Sequence, residues 1–180
     1  NEIIYPLISS ENAGKWRLNK CKPFKKIIYP YTINDNQLNQ VIDINNFPNF
    51  KNYAINKSKK LKSRSYLINS GKKWYEHWVP QNFSQMKKNK IVFKDISESP
   101  CFALDTEGFL VNGNCFWITI KDKFNDDLIY LLLAIANSDL IEKYHRISFN
   151  NKLYSGKLRY NTQYINKYPL PIFDNELCKI

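Results

Sequence analysis

Glycine is scarce in this chain. Only five occur in 180 residues, each isolated, so neither a phosphate-cradling loop nor a GxGxxG cofactor turn can be drawn. No GxSxG elbow is present either. Histidine is rarer still: His77 and His145 stand alone, without the nucleophile pattern that a Ser or Cys triad requires. The four cysteines, Cys21, Cys101, Cys115 and Cys178, are widely spaced and form no CxxC pair, which removes the usual zinc pattern. They are expected to be reduced thiols of a cytoplasmic protein. Asp126 and Asp127 are adjacent, a better fit to a helix start than to two carboxylates flanking a substrate. No catalytic residue and no metal site is therefore expected. The longest apolar run, Ile129 to Ala136, is too short to cross a bilayer, and no signal-peptide pattern precedes it. Asn1 is not an initiator methionine, which suggests a fragment of a larger protein.

Positive charge is abundant. Lys and Arg number 27 against 16 acids, a formal net charge of +11 with a sequence pI near 9.4. Clustered cations favour a polyanionic partner because they release condensed counterions; an acidic membrane surface fits the charge as well. A/T-rich coding would also enrich Lys, Asn, Ile, Tyr and Phe, so composition alone does not decide. Arginine is more selective: only Arg17, Arg64, Arg146 and Arg159 occur, each either a planar fork for phosphate or guanine or one half of a surface ion pair. With 43% hydrophobic residues the chain can fill one domain's core, and a single domain over residues 1–180 is expected.

The opening stretch alternates short apolar runs, Ile3 to Tyr5 and Ile27 to Tyr31, with Pro6, Gly14, Pro23 and Pro30, a pattern of strands and turns. "NNFPNFKNYAINKSKKLKSR" has helical spacing, with Asn46 as cap, Pro48 in the first turn and a basic outer face. From Lys51 to Lys94 there are twelve basic residues and one acid, Glu76. Inside that block "RSYLINSGKKWYEHWVPQNF" interleaves Arg64, Lys72 and Lys73 with Tyr66, Trp74, Tyr75 and Trp78, and Gly71 supplies a bend. Aromatic faces beside cations suit a nucleic-acid backbone; Trp74 and Trp78 at i and i+4 equally suit a core. "KIVFKDIS", "CFALD", "FLVN" and "CFWITI", separated by turn residues, read as an antiparallel meander. Asp126 and Asp127 then start a helix reaching about Ala136, and Asn137-Ser138 starts a second that carries Leu140, Ile141 and Tyr144, with the leucines expected in the core. The fold class is α+β: a strand-rich antiparallel part and a helical segment near the C-terminus.

Taken in order, "YPLISSENAGKWRLN", "KKIIYPY", "FPNFKNYAINKSKKLKSR", "GKKWYEHWVPQ", "KIVFKDIS", "CFALDTEGFLVNG", "LLLAIANSDLIEKY" and "YSGKLRYNTQYINKYPLP" resemble the TaqI-like specificity domain of adenine-specific DNA methyltransferases and fused restriction-modification enzymes. The elements cover nearly the whole chain; each is loose, and their order and spacing carry the likeness. The resemblance implies a target-recognition domain that holds double-stranded DNA while the catalytic domain of the same polypeptide flips an adenine and methylates it with S-adenosylmethionine. The catalytic Asn-Pro-Pro-aromatic motif is absent: "NFPNF" (Asn46 to Phe50) differs because Asn49 follows Pro48, and no PD-(D/E)xK nuclease core appears. The parent's cofactor and chemistry are thus expected elsewhere, with no cofactor in this domain.

The resemblance also marks "SGKLRYNTQY" (Ser155 to Tyr164) as a DNA-contacting loop before a docked Pro-Leu-Pro end. Gly156 would let the backbone approach a phosphate, with Ser155 and Tyr160 beside it. Arg64, Asn69, Lys72 and Arg159 are the candidates for reading bases, and Lys73, Lys94 and Lys157 for holding phosphates, with Trp74 as a stacking face. Tyr164 and Tyr168 are expected to tie the tail to the core. Two other readings stay open: a separate specificity subunit on the same fold, and an RNA- or single-strand-binding module using the same basic aromatic surface.

Overall fold

The computed structural model describes residues 3–34 and 39–171. Cys178 lies outside the described residues. The strands and helices, in chain order, are β1 (Ile4–Ile8), β2 (Trp16–Arg17), β3 (Lys25–Ile28), β4 (Tyr31–Ile33), β5 (Asn39–Val41), α1 (Pro48–Asn56), α2 (Ser58–Lys62), α3 (Ser65–Asn69), α4 (Phe83–Met86), β6 (Lys90–Lys94), β7 (Ile96–Ser97), β8 (Phe102–Asp105), β9 (Leu110–Val111), β10 (Cys115–Thr119), α5 (Leu128–Ala136), α6 (Asp139–Phe149), β11 (Leu158–Arg159) and α7 (Thr162–Ile165). Mixed sheets with C-terminal helices make the fold α+β. The chain divides into two compact units, one built from Asn1–Leu7, Lys25–Lys88 and Glu107–Leu110, the other from Ile8–Phe24, Asn89–Thr106 and Val111–Ile180.

The first unit is organised by aromatic rings. β1 pairs antiparallel with β3 and β4 with β5. Tyr29 stacks on Phe83 with centroids 5.5 Å apart, and Tyr31 and His77 lean on Tyr29 at 4.8 and 5.5 Å. Such groups go inside only with their polar ends satisfied. Accordingly the Tyr31 hydroxyl accepts from His77 N (2.8 Å), Tyr75 donates to Ile42 O (2.9 Å), and Tyr29 donates to Gln81 O. Desolvation raises the Tyr31 phenol to about 12, so it stays neutral.

The basic helix expected after Asn46 is two helices, α1 and α2, broken at Lys57. Phe47 rather than Asn46 is the N-cap of α1, because Pro48 takes the first helical position, where its missing N–H costs nothing.

In the second unit the sheet order is β10-β6-β8-β2. This corrects the simple meander: β10 returns to the far side of β6, β9 leaves to join the β3-β1-β9 sheet, and β2 adds parallel to β8. β6 is central, with Lys90, Ile91, Val92 and Phe93 all buried. One face packs Ile91, Phe93 and Phe102 against Ile129, Leu133 and Ala136 of α5. Asn137, buried at the end of α5, accepts from Phe102 N (3.1 Å) and donates to Phe102 O (2.8 Å), stitching helix to strand.

Ser138 caps α6 by accepting from Ile141 N at 3.2 Å. Leu140, expected in the core, is 75% exposed: the face of α6 turned inward carries Ile141 and His145, one turn apart, and Leu140 points elsewhere.

Lys90 and Asp105 pair across β6 and β8 with both side chains fully buried and Nζ 2.5 Å from Oδ2. Burial pushes the Lys90 amine below its usual value, while the Asp105 carboxylate pulls it back up. Removing one partner strands the other charge. Asp105→Ala is therefore expected to lose about 3 to 5 kcal/mol in urea unfolding, and the double change Lys90→Met with Asp105→Leu to lose much less.

Candidate nucleic-acid interface

In the second unit, the segment from Asn150 to Tyr160 forms a braced, cation-bearing loop. Asn150 has φ 39°, Ser155 φ 67° and Gly156 φ 77°, three left-handed residues that fold the chain back on itself. Gly156 tolerates this backbone without cost, and nothing lies within 4 Å of where its Cβ would be, so its surface is open to a ligand. Leu153 N donates to Lys157 O (2.7 Å) and Gly156 N to Leu153 O (3.2 Å), closing the loop. Tyr154 sits at its tip, 99% exposed. Lys152, Ser155, Lys157 and Arg159 are also exposed. The Arg159 guanidinium is held only loosely, its Nε 3.8 Å from Asp95 Oδ1.

What holds the loop is His145. Both ring nitrogens are satisfied when Nε2–H donates to Arg159 O (3.1 Å) and Nδ1 accepts from the Tyr168 hydroxyl (2.9 Å). Asn151 also donates to Arg159 O. Around the imidazole stand Tyr160, stacked at 4.4 Å, and Phe149, Tyr164 and Tyr168 edge-on at 5.1 to 5.8 Å. Tyr164 and Tyr168 thus pack, as the sequence suggests.

Tyr160 corrects the expectation of a DNA contact. It is 1% exposed, its ring lies against His145 and Phe102, and burial raises its phenol, so it is a core residue beneath the loop.

In the first unit, the half-buried Arg64 is turned onto the backbone. Its Nε donates to Leu61 O (3.1 Å), one terminal nitrogen to Glu76 O (3.2 Å) and the other to Trp74 O (2.6 Å). With three of its five N–H groups on carbonyls, the fork braces the Lys72–Glu76 turn. Glu76, the block's single acid, is buried and accepts from Lys73 N at 2.7 Å. Around this brace Asn69 and Lys73 are exposed and Lys72 half-buried. Trp74 is half-buried with the Lys62 amine 5.6 Å from its ring.

The more open aromatic surface is one residue pair away: Tyr66 and Trp78 meet edge to face at 5.2 Å and are each about half exposed. Trp78 does not share a helix face with Trp74, since residues 70–82 form turns. Lys94 is half-buried at the end of β6, where its charge opposes the burial that raises the Cys115 thiol to about 11.

Tyr154 is an exposed aromatic that reading the sequence did not single out. The signal for Tyr154 was its place beside Ser155-Gly156, the two residues that turn the chain.

Residues 25–172 match the TaqI-like C-terminal specificity domain family. The chain belongs to that family. Over 170 residues it is 39% identical to the type II methyltransferase M.BanIII of Aneurinibacillus aneurinilyticus, covering 94% of this chain and 29% of that relative. It is 22% identical to M.BstVI of Geobacillus stearothermophilus over 94% of this chain and 28% of that relative. It is likewise 22% identical to M.MjaIV of Methanocaldococcus jannaschii, over 89% of this chain and 54% of that relative. The chain therefore spans between about a quarter and a half of the length of these methyltransferases. Among the described residues no group of His, Cys, Asp and Glu could hold a metal, and no helix is long and apolar enough to cross a membrane.

Two measurements check the site's framework. Arg64→Ala is expected to cost roughly 2 to 3 kcal/mol of stability, since hydrogen bonds to a charged donor are lost; thermal unfolding would show it, and Arg64→Lys would recover little because one ammonium cannot span three carbonyls. For His145, desolvation puts the folded-state pKa below the unfolded value of 6.5, with the Arg159 carbonyl opposing. Folding then favours the neutral ring, and stability should fall as pH drops below 6.5, with His145→Gln removing that part of the dependence in a series of urea titrations.

Proposed function

We propose that residues 1–180 act as one target-recognition domain that seats double-stranded DNA for an adenine-specific methyltransferase domain of the same polypeptide. The observation that carries this reading is the Asn150–Tyr160 loop. It joins a fully exposed Tyr154, two left-handed residues with open backbone, and the exposed cations Lys157 and Arg159 to a buried His145 anchor. A loop with cations outside and a rigid attachment inside can hold phosphates at fixed register, which is what flipping a base out of a duplex demands of its flanks. Lys157 is assigned to a phosphate and Arg159 to a phosphate or a guanine edge. Gly156 and Ser155 supply the close backbone approach.

In the first unit, Lys73 and Lys72 with Asn69 and the Trp74 face form a second cationic surface. Lys94 adds a charge at the end of β6. This division of labour, flanking grip here and methyl transfer in a separate domain, fits relatives that are methyltransferases of which this chain covers 28 to 54%. S-adenosylmethionine belongs to that other domain. The residues here do not suit it: the glycines are isolated, and the groove lined by Ile3, Ile28, Phe47 and Tyr53 offers no acid for a ribose diol. A cytoplasmic setting follows from a genomic substrate.

The test is affinity against salt. The chain is expected to bind duplex DNA with affinity that falls along a log-log line, at a slope of about 0.9 per phosphate neutralised. Lys157→Ala should shallow that slope by about 1 whatever the sequence. Arg159→Ala should weaken binding, by roughly 1 to 3 kcal/mol with relaxed selectivity if it reads guanine. Tighter binding to single-stranded RNA would favour an RNA-binding module instead.

A further inference from the structure

Trp16 stands on a short turn in the second unit that its neighbours hold rigid. Ala13 and Leu18 pair across the base of the turn, and both are buried. Asn12, also fully buried, accepts from Ser9 N (3.1 Å) and Ser9 Oγ (2.8 Å) and donates to Lys22 O (3.1 Å), while Asn19 N returns to Asn12 O at 2.7 Å. At Gly14 a Cβ would come within 2.8 Å of the Arg17 carbonyl, so the chain passes itself closely there. Inside this frame Trp16 adopts φ 75°, a conformation that is unfavourable for a bulky L-residue and free for glycine.

Strain of this kind is normally offset by burying the side chain. Here the indole stays 46% exposed and takes no part in the core cluster of the unit. Strain kept without burial points to what the side chain does at the surface. The surroundings say what it meets: Lys15, Arg17 and Lys22 are exposed, the Lys15 amine lies 6.0 Å from the indole centroid, and Glu11 is the one acid between Ser9 and Phe24.

The turn also carries an edge strand of the sheet. β2 runs parallel to β8 with Trp16 opposite Ala103, which in turn faces Val92 of β6, two residues before Lys94. Asn114 Nδ2 donates to Ser10 Oγ (3.2 Å), Asp95 N donates to Asn114 O (3.2 Å), and Tyr160 N donates to Asp95 O (2.6 Å). The Trp16 turn and the loop ending at Arg159 are thus linked through one short hydrogen-bonded path.

We propose that Trp16 is a further DNA contact, its indole stacking on a base or deoxyribose of a locally unstacked duplex while Lys15 and Arg17 hold the adjoining phosphates. An exposed ring flanked by cations matches an unstacked step, which offers a π-face between two negative charges. A neighbouring protein surface would be served equally well by a neutral rim. The inference rests on the DNA-recognition reading.

The experiment uses the full chain and a labelled duplex of mixed sequence. Trp16→Ala is expected to weaken binding roughly 10- to 100-fold, the range of one lost aromatic stack, with the salt slope unchanged because no phosphate contact is removed. Trp16→Phe should retain most of the affinity. Trp16→Gly separates contact from packing: it should lose binding as Ala does, yet unfold at the same or a higher temperature, because glycine relieves the backbone. If wild type binds duplex DNA and Trp16→Ala binds as tightly, the stacking role falls and the DNA reading stands. A lower unfolding temperature for Trp16→Gly would assign the indole to packing and also overturn the proposal. Failure of the wild type to bind duplex DNA would take both readings down.

Discussion

β6 is buried on both faces, and the placement of the second unit's surface loops depends on that burial. The strand is flanked by β8 and β10, covered by α5, and continued at Asp95, whose carbonyl receives Tyr160 N. A central strand of this kind admits no unpaired polar group, yet it begins with a lysine. The Lys90–Asp105 pair resolves that conflict by neutralising two charges inside one register. It also ties the register itself: a slip of one residue would carry Asp105 to the opposite face and leave a buried ammonium alone.

From that strand the structure builds outward in a hierarchy of rigidity. Asn137 stitches α5 to β8, Ser138 starts α6, and α6 delivers His145 to the base of the Asn150–Tyr160 loop. The Trp16 turn repeats the arrangement with Asn12 in the anchoring role. In both places a buried side chain fixes backbone carbonyls or amides so that exposed residues a few positions away are held at a set angle. Loops positioned by a rigid scaffold are where recognition is usually found. The first unit uses Arg64 for the same purpose, turning a cation inward to organise a basic surface.

Arg64 and Arg159 show how far the sequence was legible. Both are arginines beside aromatic residues and lysines, and nothing local separates them. Arg64 reaches carbonyls ten and twelve positions away, a partnership that exists only once α3 and the following turn have folded; Arg159 meets one carboxylate at 3.8 Å and keeps its fork exposed. Tyr160 and Tyr154 divide in the same way, one stacked on His145 and the other wholly in solvent. The strand-rich start, the two helices separated at Asn137-Ser138 and the turn at Gly71 were all readable, because caps, prolines and periodicity act within a few residues. The order β10-β6-β8-β2 and the exposure of Leu140 were not, because pairing and helix rotation are chosen by distant partners.

By itself, then, the sequence determined the charge, the scarcity of catalytic side chains, the class of fold and the family likeness, all of which reside in composition or in order along the chain. Tertiary structure alone decided which cations face solvent and which brace the backbone, which tyrosines are core, and that Trp16 is held strained and open. The physical reason is that a side chain's availability depends on whether some remote carbonyl, carboxylate or ring has been brought within a few ångströms, and only folding determines that distance.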